Sequence, residues 1–192
     1  MTWKLKSAAM ILIGCAAGVA AGQALIDAEN LLFAPPKDFK VGFQSNHDNR
    51  LMTEWVPAAE TVEDWTQMLT VQIYRGAAVD AATFLQGVGK RYMDACPATT
   101  AKGIFTGQVN GYVVSMLLLK CPQNPGTGKP ETTAFRVIKG TDALYSVQHA
   151  WRAVPSDQDL DAAMRALAKV TVCDTRVPVH PCPSFDSLRP AK

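Results

Sequence analysis

The dipeptide Asn110-Gly111 stands between two apolar runs, Gly103 to Gln108 and Tyr112 to Cys121. Asn-Gly in that setting is the strongest short-range signal of a β-hairpin, because both residues tolerate the positive φ of a type I′ turn. The second arm, Tyr112-Val113-Val114-Ser115-Met116-Leu117-Leu118-Leu119, is apolar at almost every position. It predicts an interior strand buried on both faces.

The flanking sequence supplies the rest of a sheet. Phe39, Val41 and Phe43 alternate in a first strand, the polar run Ser45 to Asn49 makes a turn, and Leu51 to Val56 returns. In Trp65 to Arg75, Leu69, Val71 and Ile73 alternate with Thr70, Gln72 and Tyr74, the mark of a half-buried strand. Thr132 to Lys139 and Leu144 to Arg152, around Gly140-Thr141-Asp142, predict a second hairpin. Asn30 to Lys40, with Pro35-Pro36, reads as an extended lead-in, and Val170-Thr171-Val172 closes the fold.

Two stretches have helical spacing. Asp80 is placed to cap a helix whose stripe is Phe84, Leu85, Val88 and Tyr92, ending near Cys96-Pro97. Gly87 and Gly89 weaken that helix by up to ~1 kcal/mol each unless close packing needs them. Ser156, with Asp159 three residues on, opens a second helix with Leu160, Ala163, Met164 and Leu167 on its apolar face. Strands, helix, strands, helix predict an α+β domain with two helices on an antiparallel sheet.

The N-terminus bears on compartment. Lys4 and Lys6 precede an uncharged run from Ser7 to Ile26, the order of a secretory signal peptide. Small residues Gly22 and Ala24 suit cleavage after Ala24, giving a signal of residues 1–24 and a single domain from 25 to 192. Leu12-Ile13-Gly14-Cys15 resembles a lipobox, which makes lipidation of Cys15 the alternative and membrane attachment through that residue its consequence. An uncleaved anchor is the third, since the run only just reaches the ~20 residues of a span.

Without Lys4 and Lys6, 17 basic residues remain of the 19, against 17 acidic ones. That balance provides no basic footprint for nucleic acid. Four cysteines follow residue 24: Cys96, Cys121, Cys173 and Cys182. An even count in an exported chain predicts two disulfides in one of three connectivities, of which local order favours Cys96–Cys121 and Cys173–Cys182. A metal set of Cys173, His180 and Cys182 lacks paired C-x-x-C spacing, so no metal is expected. Phe185 to Lys192 reads as a loose tail.

No catalytic motif is complete. Gly126-Thr127-Gly128-Lys129 fails as a phosphate loop, because Gln123 replaces the first glycine and Pro130 follows the lysine. No cofactor is implied. His149 shares a strand face with Tyr145, Val147 and Trp151 and reads as a core-edge histidine satisfied by a hydrogen bond. His47 beside Asp48 offers a base with an orienting acid, on a turn that Asn46, Asp48 and Asn49 explain by themselves. Glu54, Glu60, Glu63 and Asp64 gather near Trp55 and Trp65, acids beside aromatics of the kind glycosidases use. His47, Asp48, Glu54 and Glu63 are the candidate binding residues.

Val71-Gln72-Ile73, Asn110-Gly111-Tyr112, Gly128-Lys129-Pro130-Glu131 and Val172-Cys173-Asp174-Thr175-Arg176 resemble segments of small secreted proteobacterial proteins of uncharacterised function. The order of elements is similar to the Mog1/PsbP fold, an α/β/α sandwich whose members are mostly binding or assembly accessory proteins. With no assembled catalytic motif, the sequence predicts a periplasmic or secreted, non-catalytic module that binds a protein or envelope component. Two alternatives are an envelope hydrolase using the early acids and a lipid-anchored assembly factor.

Overall fold

A computed structural model describes residues 27–183. The signal segment, Cys15 and the tail from Phe185 lie outside the described residues. Seven strands form one antiparallel sheet: β2 (Phe39–His47), β3 (Arg50–Pro57), β4 (Gln67–Arg75), β5 (Thr100–Val109), β6 (Tyr112–Cys121), β7 (Glu131–Lys139) and β8 (Ala143–Trp151). Their spatial order is β2-β3-β4-β8-β7-β6-β5. Three hairpins build most of it, so the fold is α+β with α1 (Ala81–Ala95) and α2 (Asp157–Lys169) packed on the sheet.

The helices take opposite faces. On β7, Ala134 and Ile138 join Tyr145, Val147, Ala163 and Leu167 in the α2 core, while Phe135 and Val137 join Leu85, Val88 and Leu119 in the α1 core. A strand turns successive side chains to opposite sides, so apolar runs on β6 and β7 serve both layers. Val113, at 42% exposure, and the half-buried Leu117 are exceptions to the two-sided burial expected for β6. The deepest leucine of that strand is Leu119, which is fully buried.

Local chemistry fixes the ends. Asn110 and Gly111 both have positive φ, 51° and 78°, as a two-residue turn between Val109 and Tyr112 requires. Asp80 caps α1 by accepting from Thr83 N–H at 2.8 Å. Ser156 Oγ accepts from Asp159 N–H at 3.1 Å and caps α2. The first hairpin is tighter than the sequence suggests: pairing runs on to His47 and Arg50, leaving Asp48-Asn49 as the turn, with Asp48 at φ 51°.

Part of the expected lead-in is a strand. β1 (Glu29–Leu32) pairs antiparallel with β9 (Thr171–Asp174) in a separate two-stranded sheet. Disulfides join Cys96 to Cys121 and Cys173 to Cys182. The first ties the C-cap of α1 to the end of β6. The second closes a loop gripped by the Asn110 turn, whose side chain donates to Val172 O and Pro181 O. His180 stacks on Tyr112 with centroids 3.9 Å apart.

Candidate functional site

α1 lies chiefly over β5, β6 and β7 and meets β8 and β4 through Leu144 and Tyr74, so among the described residues the rest of that face carries no helix. Val62 and Trp65, in the loop before β4, cover the far end by packing on Val56, Met68 and Ala150. Between helix and loop the sheet is polar. Register sets Glu54, Thr70 and Gln148 in one row across three strands, and Met52, Gln72 and Ser146 in the next. Polar groups on central strands mark a face with no apolar layer to meet.

A cleft of about 420 Å³ opens where this floor meets α1. Gln72, Ser146 and Gln148 line its floor, and Tyr74, Phe84 and Tyr92 its aromatic wall. Tyr74 and Phe84 pack with centroids 5.3 Å apart, and Tyr92 meets Phe135 edge-on at 6.0 Å. The Tyr74 hydroxyl donates to Gln72 Oε1. Burial pushes the Tyr74 and Tyr92 phenols up from their ordinary value, so both stay protonated donors at neutral pH.

Glu131 closes one end. Its Oε1 lies 3.2 Å from the Tyr92 hydroxyl, and its Oε2 accepts from Asn124 Nδ2 at 2.7 Å. Glu131 is the one carboxylate among the described residues that line this cleft, and Arg91 the one guanidinium. The side chains of Ser146, Gln148 and Arg91 hydrogen-bond no other group among the described residues. Thr70, 1% exposed beside this floor, has a hydroxyl with no hydrogen-bond partner among the described residues.

The four residues singled out in the sequence are dispersed. His47 Nδ1 and Asp48 Oδ2 sit 2.8 Å apart at the exposed tip of the first hairpin. Glu54 lies on the open face beside Thr70, and burial raises its pKa. Glu63 stands at the opposite end, where hydrogen bonding to Thr61 lowers its pKa. Glu60 is engaged by its own loop, accepting from Thr66 N–H at 2.6 Å and Thr66 Oγ1 at 2.7 Å. Glu54 thus lies on the sheet, while Glu60 and Glu63 are engaged within the loop before β4.

Cys173 and Cys182 are bonded to each other, and His180 Nδ1 meets Asn110 O at 2.8 Å, which accounts for all three members of the metal set. His149 pairs with Gln67 Oε1 at 3.0 Å, as a core-edge histidine should. Among the described residues no helix is long and apolar enough to cross a membrane.

Sequence reasoning passed over Gln72, Ser146 and Gln148. The available signal was the polar alternation on β4 and β8, which reads equally as a solvent face until the sheet order places both strands at its centre.

No protein-family model and no curated protein matches the chain. Among solved structures it is similar to LpqN of Mycobacterium tuberculosis, described as involved in cell envelope biogenesis. The identity is 14% over 78% of this chain and 87% of that one, with a TM-score of 0.41. At that score the likeness carries no argument about function. The two disulfides are consistent with an exported protein in an oxidising compartment.

Proposed function

We propose that this chain is a periplasmic or secreted accessory module that binds an envelope component or protein partner without turning it over. The observation that carries the reading is the floor of the α1 cleft, where Ser146 and Gln148 present hydrogen-bonding groups that no other described side chain answers. Aromatic walls with a few convergent polar groups are how binding sites combine affinity with orientation. Glu131 is held on both oxygens, and among the described residues no second acid lines the cleft beside it. The signal-like order of the N-terminal sequence and the disulfides support export, and helices on both faces of an antiparallel sheet support the Mog1/PsbP resemblance.

Glu54 flanks the cleft floor, whereas His47, Asp48 and Glu63 mark opposite ends of the open face, so a partner touching all four would span β2 to β4. The test is binding of the purified mature chain to isolated cell-wall glycan and to separated envelope proteins, alongside a screen for glycan, ester and peptide hydrolysis. Gln148→Ala and Tyr74→Ala should each reduce binding at least tenfold with the melting temperature held. Turnover that vanishes with Glu131→Gln or Glu54→Gln would replace this reading with a hydrolase.

A further inference from the structure

The opposite face of the sheet holds a second and larger cavity. It measures about 540 Å³ and runs between α2, β4 and β8, with Phe33 and Pro36 closing one side. Both Asp159 and Lys169 line it. Ten helical residues separate them, which at the α-helical rise is about 15 Å, so the cavity is a trough along α2 rather than a round pocket.

Its walls are apolar: Leu69 on the floor, and Ala162, Ala166 and Leu167 along the helix. The inner polar groups answer each other. His149 Nε2 lies 3.0 Å from Gln67 Oε1, and the imidazole stacks on the Trp151 ring at 4.0 Å and meets the Phe39 ring at right angles with centroids 6.5 Å apart. Burial holds that imidazole neutral at pH 7.

The two ends of the trough differ from its interior and from each other. The Asp159 carboxylate already accepts from Ser156 Oγ at 2.6 Å. Lys169, in the last turn of α2, is exposed and forms no ion pair among the described residues. A long apolar trough with one unanswered cation at its end matches one chemistry. We propose that this cavity binds a single-chain amphiphile with an acidic head, its alkyl chain along α2 and its carboxylate at Lys169.

The site is separate from the α1 cleft, so either can fail alone. The test uses the mature, disulfide-bonded chain with decanoate and 1-decanol, both below aggregation, followed by isothermal calorimetry. Decanoate should saturate at one equivalent. Ala166 is exposed on the helix, so Ala166→Phe should keep the melting temperature while blocking the trough and weakening both ligands about tenfold or more. Ala162→Phe blocks it one turn earlier and replaces that variant if it folds poorly. Lys169→Glu should weaken decanoate about fivefold, the scale of an exposed charge pair, and leave decanol within about twofold. Absence of saturable binding, or wild-type affinity in both blocking variants, would overturn the site, and equal response of the two ligands to Lys169→Glu would overturn the acidic head.

Discussion

The carboxylate of Glu29 occupies the space that a side chain on Gly140 would need. A Cβ built there would lie 2.9 Å from Glu29 Cδ and nearer still to Oε2. The same carboxylate accepts from Thr141 N–H at 2.5 Å, Asp142 N–H at 2.9 Å and the Tyr145 hydroxyl at 3.2 Å. β1 thereby locks onto the β7–β8 turn, and Arg176, just past β9, adds contacts to Asp142 at 2.7 Å and Asp174 at 2.6 Å.

Gly140→Ala should therefore destabilise the fold by about 1–3 kcal/mol, because displacing a buried carboxylate leaves its donors unsatisfied. Urea denaturation should show a lower midpoint at unchanged slope. A variant that unfolds with the parent would mean that the Glu29 clamp is not held in solution.

This clamp also shows where sequence reasoning stops. Hairpins β5–β6 and β7–β8, both helix caps and both disulfides were legible, since each depends on residues within about 25 positions of one another: a turn dipeptide, an N-cap, a cysteine and its neighbour in order. β1 was not, because its partner β9 lies about 140 residues away and four residues carry no period. The candidate site was illegible for the same reason. Gln72 and Ser146 meet only because β4 pairs with β8 across α1 and two hairpins.

The disulfides carry a measurable share of stability. By loop entropy, separations of 25 and 9 residues correspond to about 3–4 and 2–3 kcal/mol. The processed chain should show no reactive thiol among Cys96, Cys121, Cys173 and Cys182 when denatured without reductant. The double variant Cys173→Ser with Cys182→Ser should lose both the bridge and the ordered seat of His180 on Tyr112. Two or more titratable thiols would contradict the assignment.

Burial separates Leu119 from Glu63. Leu119 is 0% exposed beneath α1, where an unpaired carboxylate costs several kcal/mol, a large fraction of a ~5–15 kcal/mol total. Leu119→Asp should abolish cooperative unfolding, and Leu117→Asp, on a half-buried position against the same helix, should be milder. Glu63→Ala should stay within about 0.5 kcal/mol of wild type. A circular-dichroism melt of the three distinguishes these outcomes.

His149 makes stability depend on pH. Burial pulls its pKa from 6.5 to about 4, so the folded state resists a proton that the unfolded chain accepts below pH 6.5. The contribution is complete above pH 6.5 and is lost as pH falls towards 4, on the order of 3 kcal/mol at ~1.4 kcal/mol per pKa unit. His149→Gln, which cannot titrate, should flatten that part of the stability profile. Parallel profiles for variant and wild type would place the loss on other groups.

Arg136 is the opposite case, a charge in the core without a counter-charge. It is 2% exposed on β7; Nη1 reaches Met116 Sδ at 3.5 Å, and among the described residues neither Nε nor Nη2 has a hydrogen-bond partner. Burial lowers its pKa, yet a guanidinium keeps its proton, so the fold bears the desolvation of an unpaired cation. Arg136→Met keeps an unbranched side chain of comparable reach and removes the charge. It should raise stability by about 1–4 kcal/mol, as replacing buried ionic groups with packed apolar ones often does. Breaking a satisfied buried pair has the reverse sign and costs about 3–5 kcal/mol. A melting temperature that falls in Arg136→Met would show that the guanidinium contributes more to the fold than its desolvation costs.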